Sequence, residues 1–301
     1  MKPHLVNKNM QFIRRLRGPT TNQVAIFGTS FSGKTVYISM LCHFLDNRDD
    51  YIVRYGTTRK KLEGKVFTEE ETRTYVLNRQ QELTRDHVFP LSTVMVERPQ
   101  EIQLSIYKVD EKSKKEKDNF ILSTYDVPGE AVENIMKGTK QLNEQEKALA
   151  EVFINLMTGA SGFLFLVDPD PKRAFDQKYM FTVLLEYIAS YQGKNDSIKA
   201  PIAFVLSKSD MYPIGEPKEY LRGTNMKSVC NLAEFLGDYV GYFKCTSVGA
   251  TEIKEMKIEE IVVENGERKK ITKTQRMRVP SSELRPEGVL EPILWLHRPT
   301  K

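Results

Sequence analysis

The chain has 301 residues, 40% of them hydrophobic, with a net charge of +5 and a pI near 8.9. That length can bury one large core or two modest ones, and so mild a positive balance is no signature of nucleic-acid binding. No apolar run approaches the roughly 20 residues that span a bilayer, and the N-terminus lacks the apolar core of a signal peptide, so a soluble, cytoplasmic protein without a specific nucleic-acid partner is expected.

Residues 1 to 22 form a basic tail in which Met10, Phe12, Ile13 and Leu16 alternate with Lys8, Arg14, Arg15 and Arg17. A docked or disordered tail is one reading, and a weak amphipathic contact with acidic lipid or a partner is the other. The rest, 23 to 301, reads as a single domain. "VAIFG" is an apolar strand, and a helix follows from about Lys34 to Leu45. A long polar region comes next, with a helix candidate from about Glu69 to His87. Acids crowd the start of that helix and bases come later, as the helix dipole favours. "FPLSTVMVERP" is a loop.

"EIQLSIYKV" and "NFILSTYDV" alternate apolar and polar residues and are joined by the lysine-rich "DEKSKKEKD", which predicts a hairpin with a solvated tip. An apolar-periodic helix is expected from about Glu144 to Met157. "GFLFLVD" and "PIAFVLSKSD" are apolar without alternation, as strands buried on both faces of a parallel sheet are. Between them lies the amphipathic "AFDQKYMFTVLLEYIASYQ". A helix from about Lys218 to Leu236 and a short strand "GYFKCTS" follow. Residues 252 to 285 break the pattern with a charged hairpin turned by Asn265-Gly266. "EGVLEPILWLH" closes the chain as a helix on the sheet, with Trp295 in the core. Cys42, Cys230 and Cys245 have no metal-like or redox-like spacing and sit in apolar surroundings, which predicts buried thiols in a reducing compartment. The β-α alternation predicts an α/β fold: a doubly wound, mostly parallel sheet with helices on both faces.

Between the first strand and first helix lies Gly28-Thr-Ser-Phe-Ser-Gly33-Lys34-Thr35. The spacing G-x-x-x-x-G-K-[ST] curls backbone N–H groups of Gly28, Ser30, Phe31, Ser32, Gly33 and the first helical residues, Val36 included, around a phosphate chain. The helix aims its positive end at the same phosphates. Lys34 would reach the β and γ oxygens, and the Thr35 hydroxyl would ligate Mg2+. Asp126, ending the strand of "ILSTYDVPGE", can hold the Mg2+ through a water, and Gly129 can give its N–H to the γ-phosphate. Asp210, after the strand in "VLSKSD", can accept the N1–H and 2-amino hydrogens of guanine, which adenine does not offer together. The Lys208 stem can lie across the base, and in "CTSVGA" the residues Ser247 and Val248 could bring a backbone N–H to the guanine oxygen.

The order GTSFSGKT, DVPGE, SKSD, TSV on β-α-β scaffolding resembles the Ras-like branch of the translation-factor-type P-loop GTPases. Within it, the hairpin insertions and the ending "VLEPILWL" look most like the double-GTPase domains of prokaryotic multi-gene systems. The resemblance implies a G-domain fold, GTP/GDP and Mg2+ as ligands, and a slow GTPase acting as a switch on a protein partner. It implies Lys34, Gly129 and Glu130 as catalytic positions and Thr93 as the switch ligand of Mg2+, with Thr84 and Ser92 as rivals. Three departures stand out. Ser207 replaces the usual Asn, where its hydroxyl could tie the base loop to the phosphate loop. Glu130 replaces a Gln and brings a negative charge toward the γ-phosphate, which predicts slow hydrolysis. The stretch from about 48 to 100 is an insertion that could meet the partner. An ATP-driven P-loop ATPase and a nucleotide-stabilised scaffold are the alternatives. No second acid follows Asp126 at the strand end, Glu130 coming only after the glycine, and no arginine has the context of a finger, against the first; Lys34, Thr35 and Asp126 are intact, against the second.

Overall fold

The computed structural model describes residues 23–29, 31–56, 69–90, 100–110, 113, 115–126, 154, 156–192, 197–264 and 267–297. The N-terminal tail and most of the helix expected from Glu144 lie outside these residues; of that helix, 154 and 156–159 are described and helical.

Nine strands and six helices carry the described chain: β1 (Gln23–Gly28), α1 (Lys34–Asp46), β2 (Tyr51–Tyr55), α2 (Glu69–Thr84), β3 (Gln100–Val109), β4 (Glu116–Asp126), β5 (Gly162–Val167), α3 (Ala174–Gln192), β6 (Ile202–Leu206), α4 (Pro217–Gly223), α5 (Lys227–Leu236), β7 (Val240–Lys244), β8 (Thr251–Glu264), β9 (Glu267–Pro280) and α6 (Glu291–Leu296). Seven strands form one sheet in the order β2-β3-β4-β1-β5-β6-β7. β4, β1, β5, β6 and β7 run parallel, while β3 is antiparallel to both β4 and β2. This is the doubly wound, mostly parallel sheet that the sequence predicts.

Every residue of β1, β5 and β6 is buried, because both faces of these strands are covered. On one face Ala25, Phe27, Phe163, Phe165 and Phe204 pack against Phe181, Leu184 and Ile188 of α3 and Val229 and Ala233 of α5. On the other, Val24, Ile26, Leu164, Leu166 and Val205 pack against Ile38, Leu41 and Leu45 of α1 and Ile293 and Leu296 of α6. The buried Tyr37 hydroxyl donates to the Val289 carbonyl at 2.7 Å and fastens α1 to the segment that leads into α6. Trp295 is half-buried, edge-on to Phe243. The three cysteines are buried and unpaired with one another.

The structure departs from the sequence reading in three places. Tyr51–Tyr55, inside the stretch read as polar, is an antiparallel edge strand on β3, too short and too mixed in character for periodicity to show. The helix expected over Lys218 to Leu236 is two helices. Thr224 is extended, its hydroxyl donates to the Leu221 carbonyl at 2.7 Å, and the same oxygen accepts from the Met226 N–H at 3.2 Å. A threonine that satisfies both flanking helix ends competes with continuing the helix. The helix from Glu69 stops at Thr84, and His87 beyond it has a φ of 51°. The late hairpin forms over the stretch expected for it: β8 and β9 pair rung by rung from Thr251↔Pro280 to Glu264↔Glu267 as a separate two-stranded ribbon, with Asn265 and Gly266 outside the described residues. Among the described residues no helix is long and apolar enough to cross a membrane.

α4, α5 and β7 meet at Glu234. Its carboxylate takes Lys218 at 2.9 Å, Arg222 at 2.5 Å and the Tyr242 hydroxyl at 2.8 Å. Burial opposes the charge, but the Lys218 and Tyr242 hydrogen bonds and the Lys218 and Arg222 charges outweigh it and hold this carboxyl below its ordinary value near 4.5. A depressed folded pKa stabilises above the unfolded value and ceases to as pH falls through the folded one. Glu234→Gln is therefore expected to lose up to about 1 kcal/mol at pH 7, a size set by the partial exposure of the network. In urea titrations at a series of pH values, that deficit should shrink as the pH drops below 4.5.

Candidate functional site at the carboxyl ends of the strands

Parallel register brings the end of β4 and the loops after β1, β5, β6 and β7 to one edge of the sheet. Gly28 pairs with Leu166, Val167 with Leu206, and Leu206 with Lys244. Asp126 is three residues past Ser123, which pairs with Ala25, so it ends β4 level with Gly28. From β1 the chain enters α1 on one face, and from β5 it enters α3 on the other. Ligands of doubly wound sheets settle in the crevice that such a divergence opens.

The loop after β1 is closely drawn. A Cβ on Gly28 would lie 2.4 Å from the Ser32 Oγ and 3.3 Å from the Leu166 carbonyl oxygen. Gly33 caps α1 with φ 83° and ψ 20°, a left-handed conformation that glycine adopts without strain, and no side chain caps that end. The Ser32 N–H donates to the Thr29 carbonyl at 3.2 Å. Among the described residues, the hydroxyls of Thr29 and Ser32 are buried without a hydrogen-bond partner. Lys34, at the first helical position, is only 8% exposed; Thr35 and Val36 are half-buried. Orphaned hydroxyls, a buried cation and an uncapped helix N-terminus together fit an oxygen-rich anion, and the Thr35 hydroxyl is of the hard-oxygen type that Mg2+ takes. Phe31 is 56% exposed and has a φ of 66°. The Arg173 guanidinium stands over its ring, 4.7 Å from the centroid.

The loops after β5, β6 and β7 are tied together. Asp168, 4% exposed, binds the Lys208 Nζ at 2.7 Å through Oδ2 and accepts the Asp170 N–H at 3.0 Å through Oδ1. The buried Gln177 of α3 grips the Asp168 backbone from both sides, accepting its N–H at 2.7 Å and donating to its carbonyl at 2.9 Å. Lys208 has a φ of 54°. The Ser207 hydroxyl and N–H both donate to the Val167 carbonyl, at 3.0 and 2.9 Å, so this hydroxyl closes the β5–β6 junction. The exposed Asp210 accepts the Thr246 hydroxyl at 2.8 Å, and the Thr246 oxygen accepts the Gly249 N–H at 2.9 Å. The Ser209 N–H donates to the Cys245 carbonyl at 3.0 Å. Burial first, then the Asp210 charge, pushes the Cys245 thiol up to about 12, while a hydrogen bond with Ser247 pulls the other way. It stays a thiol at neutral pH. Val248 turns its side chain into a small core with Met40 and Leu83, leaving its backbone for the loop.

Of the residues singled out in the sequence, Gly28 ends β1, Phe31, Ser32 and Gly33 are in the loop after it, Lys34, Thr35 and Val36 open α1, Ser207, Lys208, Asp210, Ser247 and Val248 are in the loops after β6 and β7, and Asp126 ends β4. Ser30, Ser92, Thr93, Gly129 and Glu130 lie outside the described residues; Thr84 closes α2. Three participants were missed. Asp168 was read only as the end of "GFLFLVD", although an acid closing an all-apolar strand is itself a signal. Thr246 stands inside the quoted "CTSVGA". Arg173 had no pattern around it to mark it.

No protein-family model matches the chain, and no curated protein matches its sequence. Solved structures with similar folds include the signal recognition particle receptor SRb-GTP/SRX complex from Chaetomium thermophilum, at 12% identity and a TM-score of 0.38 over 75% of this chain and 94% of that one. The Arl6 BBS3 small GTPase from Trypanosoma brucei, with the nucleotide analogue GppNp bound, is 13% identical at a TM-score of 0.37, over 76% of this chain and 88% of that one. A bacterial selenocysteine-specific elongation factor EF-Sec is 17% identical at a TM-score of 0.32 and is matched over 26% of its length. At such identities and scores these likenesses transfer no residue roles.

Asp168→Asn should remove the charge that holds Lys208 while keeping the volume. The expected loss is about 1–3 kcal/mol in urea unfolding, since a buried charge-assisted contact is broken and its partner keeps some access to water. Equal stability of the variant would show that the Lys208–Asp168 pair does not hold the loop.

Proposed function

We propose that the chain binds GTP and GDP with Mg2+, hydrolyses GTP slowly, and uses its nucleotide state to signal to a protein partner. The observation that carries this reading is that a phosphate cradle, Gly28 to Thr35, and an exposed carboxylate steadied by a hydroxyl, Asp210 with Thr246, belong to the same sheet edge.

In this reading Lys34 neutralises the β and γ oxygens beside the N-terminus of α1. Thr35 and, through a water, Asp126 hold Mg2+, which supplies further neutralisation of the phosphates. Asp210 accepts both N–H groups of the guanine edge, its orientation fixed by Thr246. The Lys208 stem lies along the base, its direction set because Asp168 anchors the ammonium. The backbone of Ser247 and Val248 serves the guanine oxygen. Gly129 senses the γ-phosphate, Thr93 would join the ligands of Mg2+ from the first switch, and Glu130 retards the attack of water by its charge. Loss of the γ-phosphate would release those segments and change what the inserted stretch from about 48 to 100, α2 included, offers to a partner. A contact of the N-terminal tail with acidic lipid would add to this without being required by it.

Competition among GTP, ATP and XTP tests the base assignment. Wild type should prefer GTP, and Asp210→Asn should shift the preference toward XTP, whose 2-oxo group lacks the amino donor; equal binding of ATP and GTP by wild type would sink the reading. Lys34→Ala should abolish triphosphate binding in calorimetry, and Thr35→Ala should weaken chiefly the Mg2+-dependent part. Unchanged affinity in both would place the site elsewhere. Glu130→Gln should raise single-turnover hydrolysis several-fold at unaltered GTP affinity. A marked fall would make Glu130 a working catalytic group instead.

A further inference from the structure

Phe31 is an anomaly in need of a cause. It is a bulky side chain in left-handed backbone, at φ 66°, in the middle of the loop that wraps the phosphates. Such a conformation is strained for a non-glycine residue. It also leaves a large apolar ring 56% exposed, so neither backbone ease nor core packing accounts for it. What the ring does contact is a cation: the Arg173 guanidinium, 4.7 Å from its centroid.

The backbone that carries Arg173 is fixed. Arg173 closes the single 3-10 turn Pro171–Arg173 between β5 and α3, and its N–H donates to the Asp170 carbonyl at 2.9 Å. The Asp170 carboxylate accepts the Lys172 N–H, and the Asp170 N–H is in turn held by Asp168. Pro171 fixes its own φ as the turn begins. The same Asp168 anchors Lys208, so the turn bearing Arg173 is braced against the loop that carries the base-reading residues. A guanidinium on a rigid turn, stacked on an aromatic ring of the phosphate loop, loses little rotational freedom when a phosphate replaces water around it.

We propose that Arg173 is a second cation of the phosphate site, supplied by the chain itself and aligned on Phe31, and that it contacts the bound triphosphate together with Lys34. The inference rests on the GTP-binding reading above. When water attacks the γ-phosphorus and the bond to the β–γ bridging oxygen breaks, negative charge moves onto the leaving diphosphate and the departing phosphate. A planar, multidentate donor beside the loop offsets that charge. It would counter part of the repulsion that Glu130 brings.

The test compares wild type with Arg173→Ala, Arg173→Lys and Phe31→Leu by calorimetry with GTP and Mg2+, by single-turnover hydrolysis and by thermal melting without nucleotide. Arg173→Ala should lower GTP affinity about tenfold and the hydrolysis rate about a hundredfold, a modest share of what arginines supply in phosphoryl transfer. Its melting temperature should stay within about 2 °C, because the stacking is at the surface. Arg173→Lys should recover part of the affinity as a point charge, and Phe31→Leu should lose part of it by freeing the guanidinium. GTP binding and hydrolysis by Arg173→Ala at wild-type levels would overturn the inference and leave the GTP-binding reading standing. A loss that merely tracks a lowered melting temperature would also overturn it. Failure of wild type to bind GTP would instead remove the reading on which it stands.

Discussion

β1 and β5 lie side by side in the middle of the sheet, and every residue of both is buried. Burial on both faces calls for apolar side chains along nearly the whole of each strand, Gln23 at the start of β1 excepted, so these strands have little room for chemistry within them. It also demands helices above and below, and the chain meets that demand by leaving β1 toward α1 and β5 toward α3 on opposite faces. The crevice between the two departures follows from covering the sheet. Phosphate-type residues collect there because it is the first place where the buried strands give way to backbone with unsatisfied N–H groups.

Asp168 is the hinge between this constraint and the chemistry. It is the first residue past β5, still nearly buried, and a carboxylate so placed must be compensated. Gln177 takes its backbone, Asp170 and Lys208 take its oxygens. In satisfying one buried acid the fold orients both the turn of Arg173 and the stem of Lys208. Removing the charge would therefore disturb the turn after β5 and the loop after β6 through a single group.

The architecture was legible because its strongest signals are long and redundant. Unbroken apolar strands such as "GFLFLVD" and "PIAFVLSKSD", and a helix as amphipathic as Ala174–Gln192, leave little else to form. The break at Thr224 was not legible, since it depends on one hydroxyl reaching two backbone groups at once. Nor was β2, whose five residues are recruited by the free edge of β3 more than by their own pattern. At the site, glycine spacing disclosed the phosphate loop because backbone geometry leaves a mark on residue type. Side-chain partnerships between distant loops leave none. Thr246 with Asp210, Lys208 with Asp168 and Arg173 with Phe31 join residues 36, 40 and 142 positions apart, a span at which a single sequence carries no periodicity to read.

The ribbon of β8 and β9 stands apart from the main sheet but not from the site. Its base is a ladder of backbone bonds onto the loop after β7: Ser281 to Ala250, Arg285 to Val248, and a reciprocal pair between Thr246 and Glu287. An isolated two-stranded hairpin is marginal in water, so this ribbon draws its order from its root. Thr246 thus has two duties. Its backbone closes the ribbon's base, and its hydroxyl steadies Asp210. The last β-bridge of the ribbon's root and the orientation of the carboxylate at the site's base end are properties of one residue. At this point the ribbon is built into the same frame that Asp168 sets from the other side.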